Sequence, residues 1–318
     1  MLNVAVLDDY QNVAAGFVNW GQLSSEAKVT VFNDHIQDSD SLVKRLESYE
    51  IVCAMRERTP FPIEILQRLP KLQLLITTGM RNASIDVKEA NNQGVIVCGT
   101  DGLPYPTAEL AWGLILDLAR NIAKENESVK RGKWQTTVGV GLNGKTLGLI
   151  GLGNLGGQVA NYGNAFEMDV IAWSQNLTKE KAKEKNTKYV SLETLMAESD
   201  FISIHTVLSS RTKGLIDASK LKLMKKTSFL INTSRGPIVN ELALVNALGK
   251  GEIAGAALDV FSLEPLPSDH PLITLENTII TPHIGYVTNE TYKIFYEQTV
   301  ECIIGFIQGN PIRVISPI

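Results

Sequence analysis

The segment TLGLIGLGNLGGQVANYG, residues 146–163, constrains the chain more than any other. An apolar run ends in Gly151, Gly153 and Gly156, spaced as G-x-G-x-x-G, and a helix-like stretch follows at once. Between a strand and a helix this spacing has a physical reading. The first glycine permits a tight turn, the second lets backbone approach a pyrophosphate, and the third lets the helix pack closely on the strand. The N–H groups near Asn154 and Leu155 then lack intrahelical partners and face the phosphates. Such a segment belongs in an open, doubly wound α/β sheet.

The rest of the chain repeats that grammar twice. Before residue 102 the apolar, β-branched runs are VAVLDD, KVTVFND, IVCAM, LQLLITTG and VIVCGT. From residue 146 they are TLGLIGLG, DVIAWS, DFISIHT, TSFLINTS, IAGAALDVF and NTIITPHIG. Short continuous apolar runs separated by amphipathic stretches indicate parallel strands covered on both faces. A chain of 318 residues also exceeds what one core usually organises. Two doubly wound α/β domains are expected. The pattern across residues 103–135 predicts one long helix joining the rounds, with Thr107 as a possible cap, and a second helix from Asn289 to Gln308 closes the chain.

Composition excludes some classes. Net charge is −4 with Lys and Arg scattered, so no basic stripe serves nucleic acid. No run of 18 apolar residues suits a membrane span, and MLNVAVLDDY reads as a first strand rather than a signal peptide. Cys53, Cys98 and Cys302 lie in or near apolar runs without C-x-x-C spacing. They read as buried free thiols in a reducing compartment, the cytoplasm, and no metal is expected.

The ribose position is unusual. After the strand Asp169–Trp173 stand Ser174 and Gln175, where a carboxylate would accept bonds from both hydroxyls of an unphosphorylated ribose. Ser174 removes the repulsion of a 2′-phosphate but supplies no guanidinium to hold one. Lys179, Lys181 and Lys183 read as a solvated helix face. NAD and NADP both stay open.

Polar residues at strand ends carry the chemistry. Arg235 follows LINTS, Asp259 ends AALD, Glu264 lies in the next loop, and His283 follows TIITP. Ligands of open α/β sheets bind outside the carboxyl ends of the strands. A guanidinium grips a carboxylate and polarises a carbonyl, an imidazole gives or takes an alcohol proton, and a neighbouring carboxylate orients the imidazole and favours its protonated form.

On GLGNLGG, NTSRGPIVNE, GAALDVFSLEP and TPHIG, in that order, the chain resembles the D-isomer-specific 2-hydroxyacid dehydrogenase family along essentially its full length. The resemblance implies hydride transfer between a nicotinamide dinucleotide and a small (R)-2-hydroxy acid or its 2-oxo acid. It implies Arg235 as substrate clamp, His283 as acid/base and Glu264 as its partner. Asp259 is implied on the nicotinamide side, with Thr233 and Ser234 lining the cofactor. His205 matches a position close to the cofactor, where a satisfied structural histidine is an equal alternative. A flavodoxin-like substrate domain (1–101 and 287–318), a Rossmann NAD(P)-binding domain (102–286), a cleft between them and a homodimer through the nucleotide domain are also implied.

Two segments bear on the substrate, the first by departing from the family pattern. TTGMRNASID keeps Gly79 but has Met80, Arg81 and Asn82 where smaller residues are common, so substrate-binding amides at Gly79–Arg81 come with an added charge. AMRERTPF resembles the segment that phosphoglycerate dehydrogenases use for phosphate, with Arg56 and Arg58 in the matching places. A second anionic group on the substrate is one reading, and a solvated loop is the other. The rival enzyme is a D-3-phosphoglycerate dehydrogenase. The rival from another class is a nicotinamide-sensing binding protein. His35 and His270, in polar surroundings, are expected at the surface.

Overall fold

The computed structural model describes residues 1–316. The chain divides into two units, Met1–Leu103 with Val287–Ile318, and Pro104–Tyr286.

The first unit carries five parallel strands: β1 (Leu2–Val6), β2 (Ala27–Val31), β3 (Ile51–Ala54), β4 (Leu74–Thr77) and β5 (Ile96–Gly99). Their order is β2-β1-β3-β4-β5. Every residue of β3 and β4 is buried, as parallel strands covered on both faces must be. Leu42, Leu46, Leu66, Leu75 and Val97 meet in one core. The helix Asn289–Ile307 belongs to this unit, and the Thr288 side chain caps it by accepting from the Thr291 N–H. It buries Tyr292, Phe295 and Tyr296, and Phe17 stacks on Tyr296 at 5.9 Å.

The second unit holds seven parallel strands: β6 (Thr146–Ile150), β7 (Asp169–Trp173), β8 (Lys188–Tyr189), β9 (Phe201–Ile204), β10 (Phe229–Asn232), β11 (Gly255–Leu258) and β12 (Thr278–Ile280). The order is β12-β11-β10-β9-β6-β7-β8. Side chains alternate across this sheet. Phe201, Ile231 and Ala257 join the core under the helices Pro106–Arg120 and Asn154–Ala165. Their neighbours Ile202, Leu230 and Ala256 join the opposite core with Leu195, Leu244 and Leu248. The strand order reverses between β6 and β9, which places the switch point beside the glycine loop.

Two expectations need correction. The single helix across residues 103–135 is two, Pro106–Arg120 and Ile122–Lys130, with Asn121 between them at φ 53°. Asparagine tolerates this left-handed conformation, and Asp117 stabilises it by accepting from the Asn121 N–H through its carbonyl and from the Ala123 N–H through its carboxylate. Thr107 is not the cap. Tyr105 precedes the helix with Pro106 in its first turn, and the Thr107 hydroxyl donates to the Gly285 carbonyl. The two-residue edge strand β8 has no counterpart among the runs read from the sequence.

Candidate active site

The three fingerprint glycines differ in what forbids a side chain. Gly151 has φ 100°, and a Cβ there would lie 2.7 Å from the His205 carbonyl carbon. At Gly156 it would lie 2.1 Å from the Gly151 carbonyl oxygen. At Gly153 it would meet nothing within 4 Å, so the second glycine leaves open space beside the loop. The helix Asn154–Ala165 begins there without a side-chain cap, which leaves the first amides, including Asn154 and Leu155, for an incoming anion.

Neighbouring strand ends complete the surroundings. The Thr233 hydroxyl after β10 is buried and without a hydrogen-bond partner among the described residues, an unusual state that a ligand would relieve. The Ser234 hydroxyl donates to the Thr206 carbonyl, tying the β10 loop to the β9 loop. His205 pairs through Nε2 with the Ser203 hydroxyl at 2.8 Å, and burial pushes its imidazole down to about 4, so it is neutral at physiological pH. The glycine cradle, the uncapped amides and the orphaned Thr233 hydroxyl fit a dinucleotide.

The three residues expected to carry the chemistry follow three adjacent strands, β10, β11 and β12. Arg235 follows β10, and Asn232 pins its turn by donating to the Arg235 carbonyl and accepting from the Ser234 N–H, both at 3.0 Å. The Arg235 guanidinium donates to the Ser234 carbonyl at 2.7 Å. Gly236 is where this loop touches the next one: a Cβ there would lie 2.0 Å from the Phe261 carbonyl carbon. The Phe261 N–H in turn donates to Glu264 Oε1 at 2.8 Å. Glu264 Oε2 meets His283 Nδ1 at 2.6 Å, short enough for a charge-assisted bond. With Nδ1 engaged, Nε2 is the nitrogen left for a proton in transit. His283 itself sits at φ 53°, and its ring packs edge-on to Tyr286 at 5.8 Å.

Asp259 explains how His283 holds that backbone. Its residue is fully buried. One oxygen accepts from the Thr281 hydroxyl at 2.6 Å and the Ile284 N–H at 2.8 Å, and the other from the Gly285 N–H at 2.9 Å. Burial raises its pKa against these bonds. The side chain expected on the nicotinamide side therefore brackets the histidine loop on both flanks.

The first unit places its expected substrate residues differently. Gly79 has φ 88°, and a Cβ there would lie 1.7 Å from Arg56 Nη1, so the guanidinium lies directly over the glycine. Arg56 donates to the Thr78 carbonyl at 3.0 Å and reaches Glu57 at 3.5 Å. The Gly79 amide is taken by the Thr100 hydroxyl at 2.9 Å. The Met80 and Arg81 amides carry no hydrogen bond within the described residues, and both side chains are exposed. Arg58 donates to the Asp8 carbonyl at 2.6 Å and to the Tyr292 hydroxyl at 3.2 Å, with its guanidinium 4.4 Å from the Tyr10 ring centre.

Two histidines expected at the surface are partnered. His35 is only 10 % exposed and meets Asp8 at 2.9 Å, while His270 meets Glu241 at 3.3 Å. Asn232, Gly236 and Thr281 organise the site without having been singled out from the sequence. The glycine directly after Arg235 was the available signal for Gly236. Neither of the other two carried one.

Residues 112–285 match the family model described as D-isomer specific 2-hydroxyacid dehydrogenase, NAD binding domain. The chain is 41% identical over 257 residues to a glyoxylate reductase of Aeropyrum pernix, covering 78% of this chain and 77% of that protein. Among solved structures, a phosphoglycerate oxidoreductase from Vibrio cholerae superposes with a TM-score of 0.92 at 36% identity, covering 97% of this chain and 100% of that one. A D-lactate dehydrogenase from Aquifex aeolicus, complexed with NAD and lactic acid, gives 0.80 at 28% identity, covering 99% and 100%.

Proposed function

The chain belongs to the D-isomer specific 2-hydroxyacid dehydrogenase family, and from that premise we propose that it reduces a small 2-oxo acid, or oxidises the matching (R)-2-hydroxy acid, on the Arg235–Glu264–His283 trio. The observation that carries the assignment of roles is the 2.6 Å bond from Glu264 to His283 Nδ1. It fixes the ring and leaves Nε2 to pass one proton to or from the substrate oxygen. The nicotinamide dinucleotide, when bound, supplies or accepts the hydride at substrate C2. Arg235 draws the carboxylate and polarises the carbonyl. The uncapped amides at Asn154 and Leu155, with Gly153, hold the pyrophosphate, and Thr233 and Ser234 line the same cofactor. In the first unit the amides of Met80 and Arg81, with no hydrogen bond among the described residues, stay available to an anion, with Gly79 shaping their turn.

The substrate is assigned as a small monoanionic acid. Arg56 and Arg58 satisfy partners inside their own unit, which weighs against a phosphate between them. The Aeropyrum relative supports the same choice by its name. Nicotinamide oxidation with glyoxylate, hydroxypyruvate and phosphohydroxypyruvate tests it. Fastest turnover on the first two is expected. Preference for phosphohydroxypyruvate would restore the phosphoglycerate reading, and tight nucleotide binding with no turnover on any acid would favour a sensor.

The homodimer is assigned to the second unit. The helix Ile122–Lys130 has no buried residue. Beyond it, Trp134 is 76% and Val138 95% exposed. The segment is nevertheless held, because Glu125 accepts from the Thr136 and Thr137 hydroxyls at 2.9 and 2.7 Å. An ordered strip presenting apolar side chains outward is what a second copy would cover. Sedimentation should give twice the chain mass, and Trp134→Lys should shift it to one. No helix among the described residues is long and apolar enough to cross a membrane. Three buried free cysteines support placement in the reducing cytoplasm.

A further inference from the structure

The residues after β7 mark where the adenosine ribose of a doubly wound nucleotide domain lies. Here they are Ser174 and Gln175, and neither carries charge. A phosphate on the ribose 2′-oxygen would meet no repulsion from them. The fold adds a cation that local sequence does not show. The Gln175 side-chain amide donates to the Arg211 carbonyl at 3.0 Å. β9 and β7 flank β6 on opposite sides, so the loop after β9 crosses the end of β6 to make this bond.

That loop is built. It begins at His205, whose carbonyl carbon would lie 2.7 Å from a Cβ on Gly151, so its first residues rest on the glycine turn. Thr212, 5% exposed, donates to the Val207 carbonyl at 2.7 Å and accepts from the Ser209 N–H at 2.8 Å. This fold-back leaves Arg211 exposed at the tip, and its guanidinium has no partner among the described residues. Val207, 78% exposed on the same loop, offers an apolar surface of the kind that suits a base.

We propose that Arg211 is a specificity-determining residue that grips the 2′-phosphate of NADP(H), with the Ser174 hydroxyl as a second donor, so that the chain prefers NADPH to NADH. Two independent observations carry this: the absence of a carboxylate at 174, and the bond from the Gln175 side chain to the Arg211 carbonyl, which holds the backbone of an exposed arginine beside that position. A forked donor matches a phosphate in geometry as well as charge. The inference rests on the glycine loop holding a nicotinamide dinucleotide.

Equilibrium binding of NADPH, NADH, 2′,5′-ADP and 5′-AMP to the wild-type protein, Arg211→Ala and Ser174→Asp tests it without reference to turnover. Wild-type protein should bind NADPH at least about tenfold more tightly than NADH, the worth of one good charge-assisted contact. Arg211→Ala should lose about tenfold on NADPH and on 2′,5′-ADP while NADH and 5′-AMP move less than about twofold. Ser174→Asp should invert the preference. Equal wild-type affinity for NADPH and NADH, or an Arg211→Ala loss shared by all four ligands, would overturn the role of Arg211 and leave the dehydrogenase reading intact. Folded wild-type protein that binds none of the four would overturn both.

Discussion

Two polar clusters, one in each unit, contain residue types suited to an anionic substrate, and they use them in opposite ways. Around His283, the surrounding polar groups converge on one ring: Glu264 holds Nδ1, and Asp259 ties down Thr281, Ile284 and Gly285 on either side. Around Arg56 and Arg58, the charged groups turn inward to carbonyls, a tyrosine hydroxyl and a tyrosine face. The first cluster positions a group whose remaining nitrogen is unspent. The second spends its cations on holding its own loops. Arg58 spends its donors on Asp8 and Tyr292, whereas the exposed Arg211 has no side-chain partner among the described residues.

Substitutions can break this contrast. Apart from loss of His283 itself, the largest effect is expected at Gly236, where a Cβ would stand 2.0 Å from the Phe261 carbonyl carbon. Gly236→Ala must push the Arg235 and Glu264 loops apart. Misplacement of about 1 Å costs on the order of 10²-fold, which kcat/KM should show with nucleotide affinity retained. Glu264→Gln keeps the shape but removes the charge from the bond to His283. A charge-assisted bond contributes roughly 1.5–3 kcal/mol, so kcat should fall about 10- to 100-fold with KM little changed. If kcat is unchanged, Glu264 does not orient the ring.

Arg58→Met sharpens the other side. It should lower unfolding stability by about 1–3 kcal/mol, because the Tyr292 hydroxyl and the Asp8 carbonyl lose a partner. Turnover of a small acid should stay within about threefold. A large rise in KM with unchanged stability would return Arg58 to the substrate.

An effect confined to acid pH concerns His205. Its folded pKa of about 4 lies below the ordinary 6.5, so the unfolded chain binds the extra proton first as pH falls. The neutral ring's contribution is complete above pH 6.5 and is lost progressively toward pH 4. The full span is about 3 kcal/mol by the usual conversion of pKa to free energy. His205→Asn should flatten the acid side of a plot of unfolding midpoint against pH over that window. An unaltered slope would show that His205 is not buried as a neutral ring.

Much of this molecule was legible in its sequence because the information repeats. Apolar runs at every strand but β8 announce two parallel sheets, and Arg235, Glu264 and His283 follow strands, where ligands of such sheets collect. Single events were not legible. The break at Asn121 depends on one aspartate serving two amides across a left-handed residue. β8 is two residues long and too short to form a pattern. The commitment of Arg58 to Tyr292, 234 positions away, and of Gln175 to Arg211 are long-range contacts that periodicity cannot register. The Gly79 amide belongs to the same class, spent on Thr100 from the next strand's end.

The central claim is that His283, oriented by Glu264, moves the proton in reduction of a 2-oxo acid. Single-turnover oxidation of bound reduced nicotinamide by glyoxylate, compared between wild-type protein and His283→Ala, addresses it most directly. Nucleotide affinity should remain within about twofold while the rate falls roughly 10²- to 10⁴-fold, the usual worth of a positioned acid or base. A rate loss below about tenfold, with the nucleotide still bound, would contradict the claim and remove His283 from the chemistry.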